Sequence, residues 1–227
     1  MTFKAPRISI AAAANHVGET VSIPGWLYNL RKSGKIAFPI LRDGSGMMQC
    51  VAVKAQIGDE LFDRIKDLTQ ESSIVVTGKI RAESRATGGF EMDVEDLEVL
   101  QRVPEDQPYP ITPKEHGIDF LMDHRHLWLR SARQQAILRV RHEIEQAIHD
   151  FFYERDFVRV DTPLLTAAIG ERSGLFSTEY FDEGSAYLAQ TGQLYGEAAA
   201  AALGRIYTFG PTFRAEKSKT RRHLTEF

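Results

Sequence analysis

Apolar and polar residues alternate along five stretches of the first hundred positions: 21–30, 36–41, 47–53, 73–80 and 90–100. Such alternation predicts half-buried strands, because successive side chains of a strand point to opposite faces. Turn-forming runs, Asp43-Gly44-Ser45-Gly46 and Thr87-Gly88-Gly89 among them, separate the stretches. Between the third and fourth the period changes: Leu61, Phe62, Ile65 and Leu68 recur at helical spacing and predict a helix over 59–69. Pro104, Pro108, Pro110 and Pro113 then mark an ordered, non-helical connection over 101–115. Beyond it, Ile137, Val140, Ile144, Ile148, Phe151 and Phe152 share one face of a long amphipathic helix predicted for 131–154. An extended segment at 157–163 ends in Pro163, which suits a strand end or edge. An Ala-rich helix over 193–202 leads into a strand at 206–209, and the Ala run at 11–14 reads as a short helix before the first strand.

Five strands with a helix after the third form the layout of an OB-fold barrel, a frequent carrier of single-stranded nucleic acid, although strand count alone fits other small barrels equally. The expected architecture is multidomain α+β, with a five-stranded barrel over 1–103, a linker and hinge over 104–130, and a second α+β domain over 131–227. With 227 residues and 43% hydrophobic content the chain can bury a sizeable core. Its formal net charge of -3 argues against non-specific coating of a polyanion, so nucleic-acid contact must come from a local patch. Cys50 stands alone, fits a reducing compartment, and reads as a small buried hydrophobe. No apolar run approaches the roughly 18 residues of a membrane span, and the N-terminus shows no cleavage pattern. A soluble, cytoplasmic protein without membrane association is the expectation. No Cys/His cluster at zinc spacing is present, and no metal-ligating residue is expected within these positions.

The charge is concentrated near the end. From Arg205 onward there are six Lys/Arg against two Asp/Glu, within which 209–227 reads FGPTFRAEKSKTRRHLTEF. Arginine forks bind phosphate or carboxylate oxygens in a bidentate way, so this segment suits a polyanion; composition alone would also describe a solvated basic hairpin. The order of its residues is more specific. Arg214-x-Glu216 followed by Arg222-His223-x-x-Glu226-Phe227 resembles motif 2 of the class II aminoacyl-tRNA synthetases, in which the two parts lie on the strands of a hairpin over ATP. The helix at 131–154 with the segment ending at Pro163 resembles motif 1, which in that family forms much of a homodimer interface. Gly25-Trp26 through Phe38, Leu41-Arg42-Asp43 and Gly46 to Gln49 look like the anticodon-binding barrel of subclass IIb, the aspartyl, asparaginyl and lysyl enzymes. Residues 120–130, FLMDHRHLWLR, resemble its hinge.

The amino acid is indicated by 190–197, QTGQLYGE. Aspartyl members typically carry Pro where Gly192 stands and Lys where Gly196 stands, the lysine pairing with the substrate carboxylate. Gly196 followed by Glu197, an acceptor for an amide NH2, resembles the asparaginyl branch. The resemblance implies activation of asparagine with ATP and transfer to tRNA(Asn). It assigns Arg214 as catalytic residue at the α-phosphate and substrate carboxylate, Arg222 and His223 to the β- and γ-phosphates, Glu216 to the adenine amino group and Phe227 to the adenine ring. Glu171, Gln193, Gly196, Glu197 and Arg214 are its amino-acid-binding residues. In the barrel, Phe38 is expected to stack on the central anticodon base, Gln49 and Glu91 to hydrogen-bond bases, and Arg31, with Lys32 and Lys35, to follow the backbone. Without the resemblance, Phe38 would read as a core aromatic.

The family's Gly after the mobile-loop glutamate is Arg172 here, and the loop before Leu175-Phe176 is one residue short, which bears on Glu171. The chain stops at Phe227 inside the motif 2 hairpin, with motif 3 absent. An incomplete class II catalytic domain is therefore expected, the N-terminal portion of a longer enzyme that is inactive by itself. The bent triphosphate implies Mg²⁺, with ligands expected past residue 227. An aspartyl-type, non-discriminating synthetase, a non-catalytic anticodon-binding fragment and an amide-forming paralogue making asparagine from aspartate are the alternatives, the last disfavoured by the barrel.

Overall fold

The computed structural model describes residues 4–167, 174–217, 220 and 222–227. The chain divides into two compact units, Met1–His124 and Arg125–Phe227.

In the first unit the five alternating stretches are strands: β1 (Thr20–Ser33), β2 (Ile36–Arg42), β3 (Met47–Val53), β4 (Ser73–Ala82) and β5 (Phe90–Gln101). They close into a barrel in the order β1-β2-β3-β5-β4, with β1 antiparallel to both β2 and β4 and β3 parallel to β5. The inward positions are the apolar ones of the sequence pattern: Ile23, Leu27, Leu41, Ile74, Ile80, Met92 and Leu97 are fully buried. Each such side chain contributes about 1.5–3 kcal/mol relative to exposure. Gly78 shows why β4 can curve. A Cβ there would lie 2.1 Å from the Asp93 carbonyl oxygen, and the β4–β5 register shifts between Thr77 and Gly78. Only a residue without Cβ allows so close an approach of two backbones.

Helices α1 (Lys54–Ile57) and α2 (Asp59–Lys66) follow β3. Leu61, Phe62 and Ile65 of α2 pack into the barrel core, and Leu68 joins them although the helix ends at Lys66, three residues before the predicted stop. The Ala run lies in a 3-10 helix, Ile10–His16, tied to the turn after β2 by Asp43. The Asp43 carboxylate accepts from Ile10 N at 2.8 Å and from Ser45 N and Gly46 N at 2.7 and 2.9 Å. The proline-rich segment is non-helical and fastened to the barrel: Thr69 donates to the Val103 carbonyl at 2.6 Å and Gln70 to that of Ile111 at 3.0 Å. The unit ends in α3 (Ile118–Asp123), where Phe120 lies between the rings of His116 and His124.

The second unit begins with α4 (Arg125–Trp128) and the long α5 (Ala132–Tyr153), capped by Ser131, whose hydroxyl accepts from Gln134 N. The strand expected at 157–163 is confined to β6 (Val158–Arg159), parallel to β10 (Ile206–Tyr207). Three short strands, β7 (Leu165–Thr166), β8 (Ser177–Glu179) and β9 (Ser185–Leu188), form an antiparallel sheet in the order β7-β9-β8. Helix α6 (Gln193–Leu203) precedes β10. The inner end of α5 is held by aromatic packing, with Phe152 stacked on Tyr207 at 4.5 Å and His149 bonded to the Tyr207 hydroxyl at 2.9 Å. Its remaining apolar face is uncovered: Ile137, Val140, Ile144 and Phe151 are each about half exposed (49, 59, 55 and 50%).

Candidate functional site

Two places gather the residues singled out by the sequence. The first is a groove of about 530 Å³ on the barrel, lined by Phe38, Gln49, Arg81, Glu83, Arg85 and Glu91 among others. Strand pairing brings them together: Gln49 is opposite Glu91 across the parallel β3–β5 pair, and Arg81 is opposite Glu91 across β4–β5. Gln49 Nε2 donates to Glu91 Oε1 at 2.6 Å, Arg81 pairs with the other oxygen of the same carboxylate, and Arg81 Nε reaches Asp93 Oδ1 at 3.0 Å. Partial burial works against the Arg81 charge, yet the hydrogen bond that it donates to Asp93 and the surrounding carboxylates outweigh this and hold the guanidinium above its ordinary range. At the rim Glu83 is held below the usual carboxylate range by hydrogen bonds from Arg85. Phe38 is half-buried at the end of the groove, with the Arg31 guanidinium 4.5 Å from its ring centroid. An aromatic face, an amide and several cations along an open groove are what a stacked, hydrogen-bonded base on a polyanionic strand requires.

Arg81 was not among the residues expected here. The apolar alternation of 73–80 stops at Ile80, whereas β4 continues to Ala82, so Arg81 belongs to the sheet. Extending the alternation by two residues and placing Arg81 opposite the acidic run of β5 would have found it.

The second place is the hairpin at the chain's end. Phe213 bridges Glu226 in antiparallel register. Around that bridge Thr212 and Phe227 exchange both backbone bonds (2.8 and 3.0 Å), and Arg214 N donates to the Thr225 carbonyl at 2.9 Å. Along its other edge the strand donates from Phe213 N to Ala189 O at 2.9 Å and from Ala215 N to Gly174 O at 2.8 Å. The two-residue period of an extended strand puts Arg214 and Glu216 on one face. The Arg214 guanidinium lies 5.7 Å from the Phe227 ring centroid, within cation–π range. A Cβ at Gly174 would lie 3.4 Å from the Glu216 side chain, and Gln190 Nε2 donates to the Gly174 carbonyl at 3.3 Å. Arg222 and His223 are exposed, with His223 Nδ1 paired to the Thr220 hydroxyl. Glu171 lies outside the described residues.

On α6, Gln193 Nε2 donates to Glu197 Oε1 at 3.0 Å, so this carboxylate already accepts an amide NH2. Gly196 is buried on a different side of the helix, where an added Cβ would meet Ile206 Cδ1 of β10 at 3.5 Å. Gly192 has a steric role too: a Cβ there would come within 2.7 Å of Thr162 Oγ1. A cleft of about 260 Å³ lies beside it, lined by Arg159, Asp161, Thr162, Thr191, Gly192 and Thr212 among others. Among the described residues no group of three or more His, Cys, Asp and Glu is placed to hold a metal ion, and no described helix is long and apolar enough to cross a membrane.

Comparison with known proteins gives two family matches. Residues 117–227 match the family model for class II tRNA synthetases (D, K and N), and residues 21–100 match that for the OB-fold nucleic acid binding domain. The chain is 61% identical over 225 residues to the asparagine–tRNA ligase of Koribacter versatilis, across 99% of its own length and 51% of that protein's. A crystal structure of asparaginyl-tRNA synthetase from Pyrococcus horikoshii, complexed with asparaginyl-adenylate, superimposes with a TM-score of 0.88 at 38% identity, covering 97% of this chain and 51% of the other. A putative aspartyl-tRNA synthetase from Leishmania major superimposes with a TM-score of 0.84 at 27% identity, over 100% of this chain and 47% of that one. The chain spans about half the length of the curated relatives it matches.

Proposed function

The chain belongs to the class II tRNA synthetases of the aspartyl, lysyl and asparaginyl group, and from that premise we propose that the whole protein is an asparagine–tRNA ligase. An OB-fold anticodon-binding domain precedes part of a class II catalytic domain in these residues. The observation that carries the reading is the antiparallel pairing of 212–214 with 225–227, which presents Arg214 and Glu216 on one strand face with Phe227 beside the guanidinium. The names of the similar proteins, asparagine–tRNA ligase and asparaginyl-tRNA synthetase, support asparagine as the amino acid.

In the first step a carboxylate oxygen of asparagine attacks the α-phosphorus of ATP in line, pyrophosphate leaves, and asparaginyl-adenylate forms. Arg214 binds the α-phosphate and the substrate carboxylate, and neutralises charge that builds in the transition state. Arg222 and His223 take the β- and γ-phosphates, Glu216 accepts from the adenine amino group, and Phe227 stacks on the ring. Gln193 and Glu197 form the amino-acid end of the site, with Glu171 at the substrate amino group. In the second step a hydroxyl of the terminal adenosine of tRNA(Asn) attacks the acyl carbon and AMP leaves. Phe38, Gln49 and Glu91 hold the anticodon while Arg31 follows its backbone. A homodimer through α5 and β6, a cytoplasmic location and a Mg²⁺ requirement complete the reading. The described carboxylates form no cluster suited to that ion, so the chemistry assigned to these residues rests on their cations.

ATP–pyrophosphate exchange by the full-length protein with each amino acid tests this. Exchange stimulated by asparagine and not by aspartate is expected; a preference for aspartate replaces the reading with an aspartyl-type enzyme.

A further inference from the structure

The groove on the barrel contains a fixed polar device whose logic extends past the residues that touch a base. A carboxylate only accepts hydrogen bonds, so Gln49 must turn its NH2 toward Glu91. The opposite orientation of the amide would set two oxygens against each other at the 2.6 Å separation found here. The orientation is therefore chemically determined, and Gln49 Oε1 is left for the groove. It holds only while the Glu91 carboxylate keeps its rotamer. Both its oxygens are engaged, one by Gln49 and the other by Arg81, and the residue is buried at 6% exposure. Arg81 is in turn pinned by Asp93, two residues beyond Glu91 on β5 and so on the same face.

We propose that Arg81 is a positioning residue for base selection: by holding Glu91 it fixes the Gln49 amide with its carbonyl oxygen toward the groove, so that the groove accepts uracil and rejects cytosine. This rests on the anticodon reading of the barrel. Uracil carries an N–H donor at N3, and cytosine carries a lone pair at the same ring position. An acceptor facing N3 makes a hydrogen bond with the first and meets a second lone pair on the other. Without Arg81, Glu91 stands beside Asp93 with no cation between them. It then turns away, which frees the Gln49 amide to reverse and accept cytosine.

The test uses the full-length protein and tRNA(Asn) transcripts with U or C at the centre of the anticodon, reading kcat/KM for aminoacylation. The unchanged protein is expected to favour U by about 5- to 150-fold, the discrimination typical of a well-formed pair of base contacts. Arg81→Met is expected to bring the ratio to within about threefold, by raising KM for the U transcript without slowing the C transcript. Glu91→Gln, whose neutral amide can face Gln49 either way round, should lose the ratio likewise, while Arg81→Lys retains part of it. Equal loss on both transcripts, or an unchanged ratio in both Arg81→Met and Glu91→Gln, overturns the proposal and leaves the anticodon reading standing. Absence of any U preference in the unchanged protein overturns that reading, and this inference with it.

Discussion

In the proposed reaction Arg214 combines the roles that a single guanidinium can fill at an adenylate site. Its backbone N–H is fixed by Thr225 and its side chain is 5.7 Å from the Phe227 ring centroid, so the charge is placed by both strands of the hairpin. A cation aimed at charge that develops only in the transition state should affect turnover more than substrate binding. In the full-length protein, Arg214→Ala is expected to lower kcat for ATP–pyrophosphate exchange by at least about 100-fold, as loss of one such stabilising donor does elsewhere. Steady-state exchange kinetics check this; near-normal kcat would remove Arg214 from the reacting centre. Gly196 shows where sequence and structure part at this scale. The sequence sets it beside Glu197 as a mark of substrate choice, and the structure turns its missing side chain toward Ile206. A helix places neighbouring residues about 100° apart, so adjacency in sequence does not make two residues face one ligand.

Among the elements, α5 is the most informative. Its 3.6-residue period is plain in the sequence, and the helix runs from Ala132 to Tyr153 behind a Ser131 cap. A period shows that a helix has an apolar face but not what covers it. Here, among the described residues, the end near Phe152 and Gln134 at the other end are packed within the unit, while Val140 and Ile144 between them remain more than half exposed. The proposed dimer gives that face a partner, and in a twofold interface each residue counts twice. Val140→Glu with Ile144→Glu in the full-length protein is expected to weaken dimerisation by roughly 1000-fold or more, since each buried apolar side chain is worth about 1.5–3 kcal/mol. Sedimentation equilibrium would report it; an unshifted dimer would place the interface elsewhere. The shortness of β6 has a related cause. Residues 157–163 have an extended pattern, but a strand exists only where a neighbour pairs with it, and β10 supplies two positions. Propensity is written locally, whereas pairing depends on residues some fifty positions away.

For the molecule as a whole, the barrel was legible almost residue by residue, because alternation, turn residues and the inserted helix all point to the same structure. What escaped was the polar network on its surface, where Arg81 gains its role from cross-strand register rather than from any local pattern. Cys50, read as a small hydrophobe, is wholly buried, and desolvation pushes its thiol up to about 12 from 9.0. The folded state therefore disfavours the thiolate. Stability from this group is complete below about pH 9 and is lost as pH rises toward about 12, because only the unfolded chain can ionise it. The loss should approach 1.4 kcal/mol per pH unit (roughly, from one differential proton). Urea unfolding of the full-length protein and its Cys50→Ala variant between pH 8 and 11, followed by tryptophan fluorescence, should give a steeper alkaline decline for the unchanged protein. Parallel slopes would mean that the thiol is solvated.

Closure of the barrel also bears on how the polypeptide is made. The last strand, β5, bonds to both β3 and β4, so the ring is incomplete until Gln101 has been synthesised and has every strand it needs from then on. At about 5–20 residues per second, the stretch from there to Phe227 takes roughly 6–25 s more to translate. During that interval a ring without free edges can form while the short, open sheets of the second unit are still being made. The ribosome thus releases the pieces in an order that limits how much unpaired strand the growing chain exposes at one time.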